Sequence, residues 1–288
     1  MVADVIITRT VAELRRAVRE FRRGDETIGV VPTLGALHDG HIALVQEARK
    51  RAGRVVTTLF VNPTQFAATE DLSKYPRTEE ADLARLREAR CDILFAPGVG
   101  EVYPQGFATT VTLQGPAVAG LEDRFRPTHF AGVATIVAKL FTMSGADVAV
   151  FGEKDYQQLC VVRQMARDLD LPIEVVGHPT VREADGLAMS SRNRFLSPEE
   201  RTLAPLLHRT MRGIADAALA GADLEAELAK GRTALEAAGF KLDYLEARQA
   251  DNLAPLGGIG PAPGRLLVAA RLGATRLIDN IALAPARN

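Results

Sequence analysis

The chain has 288 residues, of which 47% are hydrophobic and 25% charged, the balance of a globular protein with one large domain or two moderate ones. Its 35 lysines and arginines nearly cancel its 36 aspartates and glutamates, and the resulting net charge of -1 argues against nucleic acid or an anionic membrane as main partner. The two cysteines, Cys91 and Cys160, lie in apolar surroundings without a close partner. Together with an N-terminus that lacks the signal-peptide pattern, they predict reduced core thiols and a cytoplasmic protein.

The first part of the chain alternates predicted strands and helices. Thr10 and Glu13 have the capping-box spacing, which predicts a helix to about Arg23. Short apolar runs predict strands at 27–31, 55–61, 92–95, 148–151 and 173–176, and helical patterns separate them at 41–52, 78–90, 129–143 and 154–168. This alternation predicts an α/β fold, a parallel sheet with helices on both faces.

The pattern changes after Pro179. Two alanine-rich stretches predict helices at about 198–220 and 222–238, and three strand-like runs follow at 242–247, 266–272 and 276–282. We therefore expect two domains, 1–179 and 180–288, the second being a smaller α+β unit. The segment 102–121 is uncharged over the length of a membrane span, but its prolines and glycines predict loops around a short strand instead.

Open α/β sheets bind ligands beyond the carboxyl ends of their strands, so the segments that follow strands carry the functional prediction. Three of them are PTLGALHDGH (32–41), NPTQF (62–66) and GEKDYQQ (152–158), and a fourth, AMSSRNR (188–194), lies at the predicted domain junction. All four offer anion donors or neutral hydrogen-bonding groups. No carboxylate pair and no activated serine or cysteine is evident, which favours a reaction at phosphorus in which the protein positions charge.

PTLGALHDGH has two glycines and two histidines where a strand passes into a helix. The Gly35–Gly40 spacing imitates a P-loop, but His41 stands where lysine is required, and no serine or threonine follows. His38 and His41 have no further cysteine or histidine cluster to complete a zinc site. Two interpretations remain from these residues alone: a turn with surface histidines, or a phosphate cradle in which glycine permits close backbone approach and the histidines donate hydrogen bonds.

The other segments also leave an alternative open. Lys154 near a helix start is either an exposed lysine or a residue that shares an anion with the helix N-terminus. The hydroxyl and guanidinium donors Ser190, Ser191 and Arg192 form either a solvated loop or one that closes over phosphate. Asn62 and Gln65 are either turn residues around Pro63 or ligands of a small polar substrate.

In combination these motifs resemble pantothenate synthetases (pantoate–β-alanine ligases) of the HIGH-motif nucleotidyltransferase superfamily. HDGH resembles the HIGH motif, and MSSRN resembles the superfamily's KMSKS-type loop. VPTLGALHDGH, LFVNPTQF, YPRT, RPTHFAGV, FGEKDYQQL, PTVREADGLAMSSRNR and RLLVAARLGATRLIDNI occur in the family's order over nearly the whole chain. One departure is Leu34, where the family usually has methionine. Because the two side chains have similar volumes, we expect little effect.

The resemblance implies ATP-dependent condensation of pantoate with β-alanine through pantoyl adenylate, with magnesium accompanying ATP. It implies ATP contacts from Pro32, Thr33, Leu34, Gly35, Ala36, Leu37, His38, Asp39, Gly40, His41, Gly152, Glu153, Lys154, Asp155, Val181, Met189, Ser190, Ser191 and Arg192. Of these, His41, His38, Lys154, Ser190, Ser191 and Arg192 are the expected catalytic residues. Gln65, Gln158 and Asn62 are the expected ligands of pantoate, with Gln65 also near β-alanine.

The resemblance further implies a homodimer with a Rossmann-like N-terminal domain and a C-terminal lid that carries the AMSSR loop. Two competing hypotheses remain. One is a related nucleotidyltransferase that moves AMP or CMP onto a phosphorylated acceptor without forming an amide. The other is a non-catalytic nucleotide-binding module.

Overall fold

The structure is a computed structural model that describes residues 4–66 and 78–283, so YPRT lies outside it except for Thr78. The N-terminal part contains a six-stranded parallel sheet of order β1-β4-β3-β2-β5-β6. Its strands are β1 (Ile6–Thr8), β2 (Ile28–Thr33), β3 (Arg54–Leu59), β4 (Ile93–Phe95), β5 (Val148–Gly152) and β6 (Glu174–His178). The sequence predicted five of these and missed β1, an edge strand too short to show a periodic pattern.

Helices cover both faces of this sheet, which confirms the predicted α/β class. They are α1 (Val11–Arg22), α2 (Asp39–Arg51), α3 (Glu79–Glu88), α4 (Val99–Val102), α5 (Glu122–Phe125), α6 (His129–Ser144) and α7 (Tyr156–Asp168). Helices α1, α6 and α7 bury residues such as Leu14 and Val137 on one face, whereas α2 and α3 bury Val45 and Leu86 on the other. The predicted capping box at Thr10 is present.

Helices α8 (Pro198–Leu203), α9 (Leu206–Leu219) and α10 (Leu224–Ala237) precede an antiparallel sheet of order β7-β8-β9. Its strands are β7 (Lys241–Gln249), β8 (Gly264–Leu272) and β9 (Thr275–Leu283). The single helix predicted at 198–220 is two helices, because Pro205 has no N–H to continue the helical ladder.

The antiparallel sheet is buried on both faces. Leu266 and Val268 of β8 pack with residues of α9 and α10. The alternate residues, Leu267 and Ala269, join the apolar cluster of α6 and α7. The C-terminal sheet therefore lies between its own helices and the parallel-sheet part.

The short strand predicted within 102–121 is wrong. Among the described residues this segment has helix α4's last residue, a 3-10 turn at Gly115–Val118 and otherwise irregular chain. Both cysteines are buried and free, as predicted. In residues 4–66 and 78–283, no helix has the length and apolar character needed to cross a membrane.

The centre of the parallel sheet determines where a ligand can bind. Strand β2 pairs with β3 on one side and with β5 on the other. The chain passes from β2 to β3 and later returns to the opposite side of β2 as β5, so the strand order reverses between β2 and β5. Ligands of open α/β sheets bind at the carboxyl ends of strands at such a reversal.

Candidate active site

A cleft opens at the carboxyl ends of β2 and β5, and all four predicted segments line it. The predicted site residues found in its lining are Pro32, Thr33, Leu34, His38, Gly40, His41, Asn62, Gln65, Gly152, Lys154, Asp155, Gln158, Val181, Met189, Ser190, Ser191 and Arg192. Gly35, Ala36, Leu37, Asp39 and Glu153 belong to the same segments but lie outside this lining. The fold thus brings distant parts of the chain together in one site.

A buried carboxylate holds the loop after β2 from inside the protein. Asp82 of α3 accepts hydrogen bonds from the backbone N–H groups of Ala36 at 2.9 Å and Leu37 at 2.7 Å. Gly35 and Ala36 have φ values of +91° and +52°, a left-handed turn that directs these N–H groups to Asp82. A side chain on Gly35 would meet Leu59 at 2.9 Å. Gly35 is therefore required by the interior, and the Ala36 and Leu37 N–H groups bind a carboxylate instead of a ligand phosphate.

His38 and His41 lie at the start of α2, which begins two residues earlier than predicted. Their ring centroids are 4.0 Å apart. A Cβ on Gly40 would approach the His38 ring to 2.9 Å, so glycine leaves room for this ring. His41 Nδ1 accepts a hydrogen bond from the His38 backbone N–H at 3.2 Å. The neutral His41 ring therefore carries its proton on Nε2.

The electrostatic environment keeps both rings neutral before ligand binds. Burial, with the nearby His38 and Lys154, lowers the pKa of His41 to about 3. Burial and the charge of Lys154 lower the pKa of His38 to about 4. At pH 7 a neutral His41 offers an N–H donor to charge that develops on a ligand, and it has no ready proton to transfer.

Lys154 lies on a 3-10 turn, Glu153–Asp155, so the predicted helix from Lys154 in fact begins at Tyr156. The Lys154 Nζ is 3.9 Å from the Asp155 carboxylate. Glu153 forms an ion pair with Arg265 at 2.5 Å instead of lining the cleft. Lys154 is therefore the residue of this turn that brings positive charge into the cleft.

The loop with Ser190, Ser191 and Arg192 follows a short hairpin. Within that hairpin the Met189 N–H donates to the Val181 carbonyl at 3.0 Å, which brings both residues to the cleft. The Ser190 hydroxyl accepts a hydrogen bond from the Arg192 N–H at 3.2 Å and caps the 3-10 turn Ser191–Phe195. The loop therefore enters the site with a defined backbone.

Asn62 and Gln65 form a buried pair of amides after β3. The Asn62 Nδ2 donates to Gln65 Oε1 at 3.0 Å and to the Gly132 carbonyl at 3.2 Å. The Asn62 Oδ1 accepts from the Tyr103 hydroxyl at 2.7 Å. Asn62 thus orients Gln65 by binding its Oε1. The Gln65 amide nitrogen can then donate a hydrogen bond to an acceptor on a ligand.

Arg126 and His129 line the cleft but were missed as site residues. His129 is the first residue of helix α6. Its Nδ1 lies 2.9 Å from the Gln65 carbonyl oxygen, and its Nε2 lies 3.1 Å from an Arg126 nitrogen. The motif RPTHFAG contained both residues, but a contact across 64 positions has no sequence signal of its own. Gln157, which belongs to the segment GEKDYQQ, is buried and donates to the Pro116 carbonyl at 2.8 Å.

Sequence comparisons agree with the motifs over the whole described fold. The family model of pantoate-beta-alanine ligase matches residues 6–282. A pantothenate synthetase of Rhodopseudomonas palustris (strain HaA2) is 56% identical over 278 residues, which cover 96% of this chain and 98% of the relative. A pantothenate synthetase of Nitrobacter hamburgensis is 57% identical over 275 residues, which cover 96% of this chain and 97% of the relative.

Solved structures give the same result. A pantothenate synthetase of Thermus thermophilus superimposes with a TM-score of 0.91 at 50% identity, covering 98% of this chain and all of that one. A pantoate-beta-alanine ligase of Francisella tularensis, complexed with beta-gamma ATP and beta-alanine, superimposes with a TM-score of 0.78 at 30% identity. The match covers 96% of this chain and 97% of that one. The chain therefore belongs to the pantoate–β-alanine ligase, or pantothenate synthetase, family.

Proposed function

We propose that this chain uses ATP to join pantoate to β-alanine in the cleft between β2 and β5, through pantoyl adenylate. The pantoate carboxylate attacks the α-phosphate of ATP, and pyrophosphate leaves. The β-alanine amine then attacks the acyl carbon, and AMP leaves as pantothenate forms. The observation that carries this proposal is the meeting in one cleft of two donor sets, one suited to phosphate and one to a small polar acid.

The phosphate donors are His38, His41, Lys154 and the loop Ser190–Arg192. Charge builds on the phosphate oxygens as pyrophosphate departs, and donors held in place before the reaction stabilise that charge most effectively. His41 Nε2–H is such a donor, because the His38 N–H holds the opposite side of its ring. Lys154 supplies the positive charge, and the two serines with Arg192 supply further hydrogen bonds.

The Asn62–Gln65 pair and Gln158 are the proposed ligands of pantoate, and Gln65 also lies near β-alanine in this proposal. Neutral amides bind an acid without the desolvation cost of a buried charge, and they leave its carboxylate nucleophilic. Asn62 acts mainly by orienting Gln65, since its own donor and acceptor groups are bound within the protein.

Magnesium fits this cleft as an ion that arrives with ATP. Among the described residues, no group of three or more histidine, cysteine, aspartate or glutamate side chains is arranged for a metal ion. Asp155 is the carboxylate in the described lining. Magnesium typically binds through one or two carboxylates together with substrate phosphates. Asp155 would contribute such a ligand, and the ion would neutralise phosphate charge when bound.

Pyrophosphate exchange tests the reaction. We expect this protein to exchange labelled pyrophosphate into ATP when pantoate is present and β-alanine is absent, because adenylate formation precedes amide formation. A nucleotidyltransferase of the phosphorylated-acceptor type would exchange only when its own acceptor is supplied, whether or not pantoate is present, and a non-catalytic module would bind ATP without exchange. Either of these outcomes would refute the proposal.

Gln65→Ala is expected to raise the KM for pantoate about tenfold, because it removes a preoriented hydrogen-bond donor. The KM for ATP should stay within a few-fold of that of the unsubstituted protein. Asn62→Asp should also weaken pantoate use, because it replaces the Nδ2 donor that orients Gln65 with an acceptor. Steady-state kinetics with each substrate varied in turn provides the measurement. Equal changes in both KM values would contradict the assignment.

We propose that the protein is a cytoplasmic homodimer whose C-terminal part acts as a lid. Residues 108–113 run in irregular chain without a strand partner among the described residues, so most of their backbone groups are available to a second copy. Sedimentation equilibrium would give twice the chain mass if the protein is a homodimer, and a monomer would contradict this. We propose residues 180–288 as the lid because the 3-10 turn Ser191–Phe195, which follows Ser190, packs against strand β9. We propose the cytoplasm as the location because both thiols are free.

A further inference from the structure

Strand β9 contains two adjacent buried polar side chains that the substrate contacts above do not explain. Asp279 is 5% exposed and Asn280 is 3% exposed. Leu277 and Ile281, which alternate with Asp279, pack in the apolar cluster of α9 and α10. A carboxylate on such a face is costly unless it is paired and hydrogen-bonded. Each of the two side chains therefore calls for a specific partner.

Asp279 binds the hairpin that leads to the serine loop. Its two carboxylate oxygens accept hydrogen bonds from Arg182 at 2.7 and 3.0 Å, a bidentate pair. The Arg182 side chain also donates to the Gly186 carbonyl at 3.1 Å and to the Asn280 carbonyl at 3.2 Å. Arg182 pairs with Ala188 across the hairpin. Asp279 thus fixes the hairpin immediately before Met189 and the loop Ser190–Arg192.

Asn280 binds the turn that carries Lys154. Its Nδ2 donates to the Glu153 carbonyl at 2.8 Å and to the Lys154 carbonyl at 2.9 Å. Asn280 lies on the other side of β9 from Asp279, the side on which Ile278 packs against the cluster of α6 and α7. One amide group therefore attaches the lysine turn of the parallel-sheet part to the C-terminal sheet.

We infer that Asp279 and Asn280 are positioning residues for ATP, which hold the Lys154 turn and the Ser190–Arg192 loop at a fixed separation. This inference rests on the proposed binding of ATP phosphates by those two segments. Consecutive residues of a strand point to opposite faces, so a single stretch of β9 reaches both segments. A displacement of about 1 Å between donors can cost about 10²-fold in rate, which makes such a direct connection effective.

The test compares Asn280→Leu and Asp279→Asn with a matched control, Asp243→Asn. Asp243 accepts a hydrogen bond from Arg276 Nε at 2.7 Å. This control therefore disturbs a carboxylate–arginine contact at β9, as Asp279→Asn does. It leaves the contacts to the Lys154 turn and the hairpin intact. We expect Asn280→Leu and Asp279→Asn each to raise the Kd for ATP, measured by calorimetry with magnesium chloride, about tenfold. The KM for pantoate should change less than about twofold.

The comparison with the control decides whether the effect is positional. If Asp243→Asn lowers the melting temperature and weakens ATP binding as much as Asn280→Leu and Asp279→Asn do, the effect is general destabilisation and the inference is wrong. Unchanged ATP binding in Asn280→Leu would also overturn it. If that variant fails to fold, Asn280→Ala removes the same donor and leaves space for water. A different measurement tests the proposed reaction, which is wrong if the unsubstituted protein shows no pantoate-dependent pyrophosphate exchange.

Discussion

Replacing His41 with alanine is expected to slow pantoate-dependent pyrophosphate exchange about 10²–10³-fold while the protein remains folded. The His41 ring is neutral, its Nδ1 accepts the His38 N–H, and its Nε2–H is left to bind a phosphate oxygen. Alanine removes that donor, and the transition state, which carries more charge on oxygen than the substrate does, loses the most. The exchange rate at saturating ATP and pantoate measures this loss, and circular dichroism checks the fold.

The control for His41 separates hydrogen bonding from proton transfer. Glutamine places an amide nitrogen near the position of the histidine Nε2, so His41→Gln should retain more activity than His41→Ala. Because burial lowers the pKa of His41 to about 3 in the ligand-free protein, the pH dependence of kcat/KM for ATP, which reports groups of the free enzyme, should show no ionisation of this residue near pH 6.5. A rate transition near pH 6.5 that disappears in His41→Gln would show that His41 titrates and transfers a proton.

Lys154→Met should lower the rate of adenylate formation about 10²–10³-fold, because methionine preserves much of the apolar stem and removes the charge that neutralises the phosphates. Single-turnover release of pyrophosphate, with enzyme in excess over ATP and with pantoate saturating, measures this step. Besides burial, the charge of Lys154 lowers the pKa of His38, so the pKa of His38 should be higher in the variant than in the unsubstituted protein. Nuclear magnetic resonance titration of that imidazole gives a readout independent of activity.

Lys50→Met is the matched control for Lys154. Lys50 lies on α2, is exposed and pairs with Glu47 of the same helix at 3.2 Å. Exposed pairs of this kind contribute little, so the control should keep stability and rate within about twofold. A Lys154→Met enzyme as fast as the Lys50→Met enzyme would remove Lys154 from the proposed phosphate contacts.

Three of the four chemical segments were predictable because each follows a strand whose apolar pattern is visible in the sequence. The carboxyl ends of parallel strands share one edge of a sheet, so PTLGALHDGH, NPTQF and GEKDYQQ had to lie near one another. The pattern was less informative at element ends. Helix α2 begins at Asp39 and α7 at Tyr156, because capping geometry and the 3-10 turn before α7 are local contacts that hydrophobic periodicity does not record.

The sequence was least informative where a glycine had two explanations. Gly35 was predicted to let the backbone approach phosphate. In the structure its positive φ turns the following N–H groups to Asp82, and a side chain there would meet Leu59. Both roles require glycine, and only the position of α3 distinguishes them. Leu34, where the resemblance implied methionine, lines the cleft.

By itself the sequence determined the α/β class, the order of the chemical segments and, through their combination, the family. Those features depend on periodicity and short motifs, which are local. Only the tertiary structure decided which groups hold the segments in place: Asp82 on the loop after β2, Asn62 on Gln65, and Asp279 with Asn280 on the hairpin and the lysine turn. The physical reason is that a hydrogen bond between distant residues depends on where the fold places two groups, and neither group's own sequence surroundings specify its partner.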